Sequence, residues 1–65
     1  MNEVKALTSP EMEKILNNTS DYKKMPYERY LAKCGKEFVG LDNSTGNGWV
    51  ETFGSYTACL LWVKG

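Results

Sequence analysis

Few side chains in this sequence could perform chemistry, because histidine, the usual general base near neutral pH, is absent. Asp42 and Glu51 form the best remaining acid–base pair, since both fall within one predicted hairpin. Asp42 also begins a turn, where its carboxylate can accept backbone N–H groups, and Glu51 takes an ordinary solvated strand position. We therefore interpret both carboxylates as structural and predict a protein that is not an enzyme. A minimal enzyme built on this pair is the least favoured hypothesis.

The two cysteines, Cys34 and Cys59, both lie in apolar stretches. A cysteine in such a setting packs as a small apolar side chain, so we expect free, buried thiols and no activated thiolate. A structural zinc site needs four ligands, which two cysteines without histidine do not supply. The segment 43–48 lacks the lysine and hydroxyl residue that end a phosphate-binding loop. We predict no metal site and no cofactor.

The chain has 65 residues, of which 42% are hydrophobic and 25% charged, and its formal net charge is zero. This length and the lack of internal repeats predict a single domain over residues 1–65. The neutral balance argues against a nucleic-acid coat or a membrane-surface protein. Residues 1–8 lack the apolar core of a secretory signal, and no apolar run approaches the roughly 18 residues of a membrane span. We expect a cytoplasmic protein that binds neither membrane nor nucleic acid directly.

Two helices are predicted in the N-terminal half. Thr8 and Glu11 have the spacing of a capping box, and the polar cluster 17–21 ends the helix that they begin. A second helix is predicted from Pro26 to Gly35, because apolar side chains recur there at the i, i+3, i+4 and i+7 positions. Those side chains are Tyr27, Tyr30, Leu31 and Cys34.

A β-hairpin is predicted over residues 36–53, with a type I turn over Asn43 to Gly46 and Gly46 in the left-handed conformation. The favoured register places Val39 opposite Val50, and the indole of Trp49 over Gly40. A slip of one residue stays open.

The last segment, residues 55–64, combines helix formers with strand formers. Helix is favoured because Ser55 is a good N-cap, and strand is the alternative. The predicted fold is therefore α+β with two N-terminal helices, a β-hairpin and a C-terminal helix, in the order ααββα.

The apolar surface of residues 55–64 exceeds what one small core can bury, because a helix here is apolar nearly all round and a strand is apolar on both faces. As a helix, it would point Leu61 and Trp62 away from the core. We predict an interface, with the chain itself or with another protein, formed by Trp49, Phe53, Tyr56, Leu61 and Trp62. In the alternative, the segment lies centrally and the rest of the chain wraps it.

A locally basic stretch covers part of the second predicted helix. Arg29, Lys33 and Lys36, with Lys23 and Lys24 before them, could contact phosphate or an acidic partner. A solvated helix face explains the same run without any ligand.

The segment Phe38-Val39-Gly40-Leu41-Asp42-Asn43-Ser44-Thr45-Gly46-Asn47-Gly48-Trp49-Val50-Glu51-Thr52-Phe53 resembles hairpins in very small accessory proteins of phages and mobile elements from low-GC Gram-positive bacteria. The resemblance covers about a quarter of the chain. It implies an anti-CRISPR or other anti-defence inhibitor that binds a host protein stoichiometrically. The alternative is a homo-oligomeric sponge that holds a small nucleotide-like signal between subunits. Unlike inhibitors that imitate DNA, this chain is not acidic.

Overall fold

The protein is described from a computed structural model, which covers residues 4–17, 22 and 24–65. Within these residues four strands form one mixed sheet with the strand order β1-β2-β3-β4, and each strand is hydrogen-bonded to the next. β1 pairs parallel with β2, and the other two pairs are antiparallel. The elements in chain order are β1 (Val4–Leu7), α1 (Ser9–Leu16), β2 (Arg29–Cys34), β3 (Glu37–Asp42), β4 (Trp49–Phe53) and α2 (Tyr56–Lys64).

The predicted ααββα order is wrong, because the segment expected as a second helix contains strand β2 instead. Tyr30 and Ala32 point to one face of the sheet and Leu31 to the other, and all three are buried. Burial on both faces removes the alternation that marks a half-exposed strand, so the apolar spacing imitated a helix. Gly35, predicted as the end of that helix, is left-handed at φ 67° and stands in the hairpin turn between β2 and β3.

Strand β1 was not predicted. A strand of four residues is short, and none of the four is fully buried. It joins the sheet by pairing parallel with β2, with Val4 beside Arg29 and Leu7 beside Ala32. No local pattern in the sequence specifies this pairing.

Helix α1 confirms the predicted capping box. The Thr8 hydroxyl accepts a hydrogen bond from the Glu11 backbone N–H at 3.4 Å, and the Glu11 carboxylate accepts one from the Thr8 backbone N–H at 2.9 Å. The Glu11 carboxylate accepts hydrogen bonds from the Thr8 backbone N–H and the Thr8 hydroxyl, both at 2.9 Å, and these two bonds hold the pKa of Glu11 below its usual value. The helix ends at Leu16, while most of the polar cluster expected to end it, residues 18–21, lies outside the described residues together with Lys23.

The predicted turn is confirmed, but the predicted register is wrong by two residues. The Gly46 N–H donates to the Asn43 carbonyl at 3.0 Å, and Gly46 has φ 79°. The strands pair Asp42 with Trp49 and Gly40 with Glu51. The indole that covers Gly40 therefore comes from α2, where Trp62 stands so close that a Cβ at Gly40 would lie 3.0 Å from its ring.

The core is divided between the two faces of the sheet. On the α1 face, Met12 of α1 and Tyr22 pack against Tyr30, Val39 and Leu41. On the α2 face, the second cluster is formed by Leu31, Cys59 and Val63, with Val4, Phe38, Phe53, Leu60 and Trp62 packed around it. We use the names α1 face and α2 face below.

Helix α2 confirms the favoured prediction for the C-terminal segment. The Ser55 hydroxyl caps it by accepting a hydrogen bond from the Ala58 N–H at 3.1 Å. At the other end, the Arg29 guanidinium donates to the Lys64 carbonyl at 3.0 Å, which fixes the helix terminus to β2. Neither α1 nor α2, the two helices of the described part, has the length and apolar character needed to cross a membrane.

Candidate protein-binding surface

Strand β4 is the least covered element of the sheet. Its first four residues are exposed, and the fifth, Phe53, is half-buried. Trp49 is 63% exposed on the α2 face, and Val50 is 39% exposed on the α1 face. Adjacent residues at this end of β4 therefore expose apolar side chains on opposite faces of the sheet.

The exposure follows from where the two helices pack. Helix α2 crosses the sheet with Cys59 and Trp62 over Gly40 of β3, and the Phe53 end is the part of β4 that it covers. Helix α1 packs mainly against β2 on the opposite face. Both faces of β4 near Trp49 and Val50 are therefore left open.

The outer edge of β4 presents unpaired backbone groups. The Asn43 N–H donates to the Glu28 carbonyl at 2.9 Å, so the odd-numbered residues of β3 bond towards β2. The even-numbered residues of β3 then bond to Trp49, Glu51 and Phe53. It follows that the N–H and C=O groups of Val50 and Thr52 point outwards, and no other strand of the described residues lies on that side.

Two of the five side chains predicted to form the interface are largely exposed and a third is half exposed. Trp49 is 63% exposed, Leu61 is 67% exposed on the outer side of α2, and Tyr56 is 50% exposed with its ring edge-on to Phe38. The other two, Phe53 and Trp62, are half-buried and pack on one another with ring centroids 5.7 Å apart. Trp62 thus does not share the outward direction of Leu61, because it turns sideways towards β4 and closes over Gly40.

The three predicted phosphate contacts are not brought together. Arg29 is engaged by Asp42, with Nε 3.4 Å from a carboxylate oxygen, and by the end of α2. Lys33 lies four residues further along β2, with its Nζ 6.0 Å from the centre of the Phe38 ring. Lys36 stands in the turn between β2 and β3. Four strand residues span about 13 Å, so Arg29 and Lys33 do not converge on one phosphate.

The two members of the candidate acid–base pair, Asp42 and Glu51, lie in different surroundings. Burial raises the pKa of Asp42, but hydrogen bonds from Ser44 and the charge of Arg29 outweigh it, so the net pKa lies below its usual value. Asp42 is consequently ionised near neutral pH and already occupied, since one oxygen accepts the Ser44 N–H at 3.0 Å. Glu51 is exposed on β4.

Both cysteines are free, and they lie on opposite faces of the sheet. Cys59 is buried, and this burial raises the pKa of its thiol, which suits a packing role. Cys34 is half-buried at the margin of the α1 face. Among residues 4–17, 22 and 24–65, no three cysteine, aspartate or glutamate side chains are grouped so that they could hold a metal ion.

Sequence reasoning missed the exposure of Val50, because the predicted register set it opposite Val39 and so on the face that Val39 and Leu41 share. The face is right, because Leu41 and Val50 are cross-strand partners, but the cover over Leu41 stops before β4. The sequence of the hairpin does not indicate that β4 is an edge strand. Only the position of β2 beside β3 leaves β4 without a neighbour on its outer side.

In comparisons with protein-family models, with curated proteins and with solved structures, nothing matched this chain.

Proposed function

We propose that this chain is a non-enzymatic binding protein that acts stoichiometrically, by covering a surface of another protein. The observation that carries the proposal is the exposure of apolar side chains on both faces of β4, where Trp49 is 63% exposed on the α2 face and Val50 is 39% exposed on the α1 face. Tryptophan contributes more binding energy at protein interfaces than almost any other residue. Leu61, which is 67% exposed on the outer side of α2, is a second exposed apolar side chain on the α2 side of the sheet.

The resemblance of the hairpin segment to phage and mobile-element accessory proteins supports a host defence protein as the partner, and hence the role of an inhibitor. Association of the chain with itself through the same side chains is a related prediction, which light scattering of the isolated protein tests. Nucleotide capture between subunits also stays a prediction, and the separation of Arg29, Lys33 and Lys36 gives it no added support.

The test is affinity capture from a Gram-positive host lysate with the wild-type chain and with Trp49→Asp and Leu61→Asp. Glu13→Ala serves as the matched control, because Glu13 is exposed on α1, on the opposite side of the sheet. We expect a captured protein whose affinity falls about 30-fold or more for Trp49→Asp, which corresponds to about 2 kcal/mol, and is unchanged for Glu13→Ala. Equal capture by the wild type and Trp49→Asp, with both folded by circular dichroism, would refute the proposal.

A further inference from the structure

The free edge of β4 has a defined hydrogen-bonding pattern. Only the N–H and C=O groups of Val50 and Thr52 point outwards, so an added antiparallel strand would bond to these two residues. Edge strands of soluble proteins are usually protected by lysine, proline or a bulge. β4 reads Trp-Val-Glu-Thr-Phe and contains neither lysine nor proline, so its one charged side chain, that of Glu51, decides what can pair with it.

A second copy of β4 is a poor occupant of this edge. When two copies pair antiparallel so that all the outward groups of both strands are used, Val50 of one copy bonds Thr52 of the other. This register is centred on Glu51, and it puts two exposed glutamates directly opposite each other at about 4.5–5.5 Å between Cβ atoms. Like charges in that position are destabilising.

Other self-pairing registers lose hydrogen bonds. In a register centred on Val50 or on Thr52, the central residue bonds its own copy in the other strand. The second outward residue then lies opposite a residue outside β4 and loses its partner. Beyond Val50 the chain reaches Gly48, whose φ of 66° is not extended and cannot continue a ladder. Glu51 therefore acts against edge-to-edge association of this chain with itself.

We propose that β4 receives an extended segment of a partner protein by antiparallel strand addition, with a lysine or arginine of that segment opposite Glu51. This inference rests on the proposed function and specifies the mode of binding. The partner's main chain would bond Val50 and Thr52, which supplies affinity without sequence preference. Specificity comes from the cation opposite Glu51 and from apolar side chains beside Trp49 and Phe53, the two aromatic residues that flank Glu51 on the α2 face.

The probes for the test are seven-residue peptides of alternating threonine and valine, with lysine, glutamine or glutamate at the centre. Binding to the isotope-labelled protein is followed by NMR, which reports each backbone amide separately. We expect the lysine peptide to bind about fivefold more tightly than the glutamate peptide, with glutamine between them, and the difference to shrink at high salt. Bound peptide should slow hydrogen exchange at the amides of Val50 and Thr52, and leave that of Glu51, which already bonds β3, unchanged.

Two variants make the test decisive. Val50→Pro removes an outward N–H without removing a bond to β3, because proline is tolerated at an edge strand where the N–H faces solvent. We expect it to abolish peptide binding, whereas Val50→Thr, which keeps the N–H, binds normally. Glu51→Lys should reverse the preference, so that the glutamate peptide binds more tightly than the lysine peptide.

The inference is overturned by any of three results: no peptide binds, the three peptides bind equally, or the wild-type chain dimerises with protection of Val50 and Thr52. A captured protein whose binding depends on Trp49 but not on the Val50→Pro change would likewise overturn strand addition, while leaving the proposed function intact.

Discussion

The two faces of the sheet are closed in different ways. The α1 face is covered partly by α1 and partly by the irregular segment that includes Tyr22 and residues 24–28, which are fastened to the β3–β4 loop through buried Asn43. The α2 face is covered by one helix, α2, which packs closely against the sheet at Gly40. Through the hydrogen bonds of Asn43 the α1 face is closed at the loop between β3 and β4, whereas the cover of the α2 face leaves Trp49 exposed.

On the α1 face, hydrogen bonds as well as apolar contacts hold the irregular segment against the β3–β4 loop. The Asn43 side-chain amide donates to the Tyr22 carbonyl at 2.8 Å and to the Pro26 carbonyl at 3.2 Å, and Asn43 is completely buried. The ring of Tyr22 then lies on Gly48. On the α2 face, the contact of Trp62 with Gly40 is purely steric. Substitutions on the α1 face should consequently cost more than equivalent ones on the α2 face.

The largest effect is expected from Gly48→Ala. A Cβ at Gly48 would lie 2.2 Å from a Tyr22 ring carbon, and the backbone is left-handed at φ 66°. The steric clash and the unfavourable backbone conformation together predict a loss of about 3–5 kcal/mol in the free energy of unfolding, measured by denaturant titration.

Two other glycines provide controls for that measurement. Gly35 has φ 67° but no atom within 4 Å of an added Cβ, so Gly35→Ala isolates the backbone cost of about 1–2 kcal/mol. Gly54 has neither constraint, and Gly54→Ala should change stability by less than about 0.5 kcal/mol. Equal losses at Gly48 and Gly35 would show that Tyr22 does not close over the loop.

A smaller effect, with a distinctive pH dependence, is expected from Asn43→Asp. The change replaces an amide donor by a carboxylate facing two carbonyl oxygens, which predicts a loss of about 3 kcal/mol near neutral pH. Burial should raise the folded-state pKa of the introduced carboxyl above its unfolded value of about 3.9. The protonated acid can donate one of the two hydrogen bonds that the amide donates, so the deficit relative to wild type should be smallest below about pH 4 and grow as pH rises through the folded pKa.

Asn43→Ala is the matched control, because it lacks a titrating group. Its deficit of about 2 kcal/mol should not depend on pH when each value is taken relative to the wild type. Parallel pH profiles for the two variants would contradict the donor role of the Asn43 amide.

The smallest effect of the three is expected on the α2 face, from Gly40→Ala. The added Cβ would lie 3.0 Å from the Trp62 ring and 3.2 Å from the Cys59 sulfur, so the helix must shift by a few tenths of an ångström. We expect a loss of about 1–2 kcal/mol. In a double-mutant cycle, Trp62→Leu should remove most of that added cost, and strict additivity would indicate that the two residues are not in contact.

The parts of the fold that the sequence predicts correctly are those encoded by neighbouring residues. Thr8 and Glu11 cap α1, Ser55 caps α2, and Asn43 to Gly46 form the turn, all through contacts within four residues. Strand β2 was predicted as a helix because it is buried on both faces, a property that depends on where α1 and α2 pack. The hairpin register was wrong because the loop runs from Asn43 to Gly48, a length set by the long-range bonds of Asn43.

The candidate site was predictable to a similar extent. The exposure of Trp49 and Leu61 follows from an excess of apolar side chains over what so small a core can hold. The packing of Trp62 against the sheet could not be predicted from the sequence. Its ring turns towards β4 because Gly40 beneath it has no side chain. The free edge of β4 depends on strand order, which no local pattern encodes.

The contrast between the two tryptophans has a practical consequence for spectroscopy. The chain contains no others, and the indole on β4 is largely exposed while the other lies half-buried against Gly40 and Phe53. The intrinsic fluorescence of the protein is thus the sum of a solvent-relaxed emitter and an emitter shielded by the fold. Occupation of the β4 edge should shift the emission of Trp49 towards shorter wavelength, whereas unfolding should shift that of Trp62 towards longer wavelength. A single unlabelled sample can therefore report binding and folding as two signals of opposite sign.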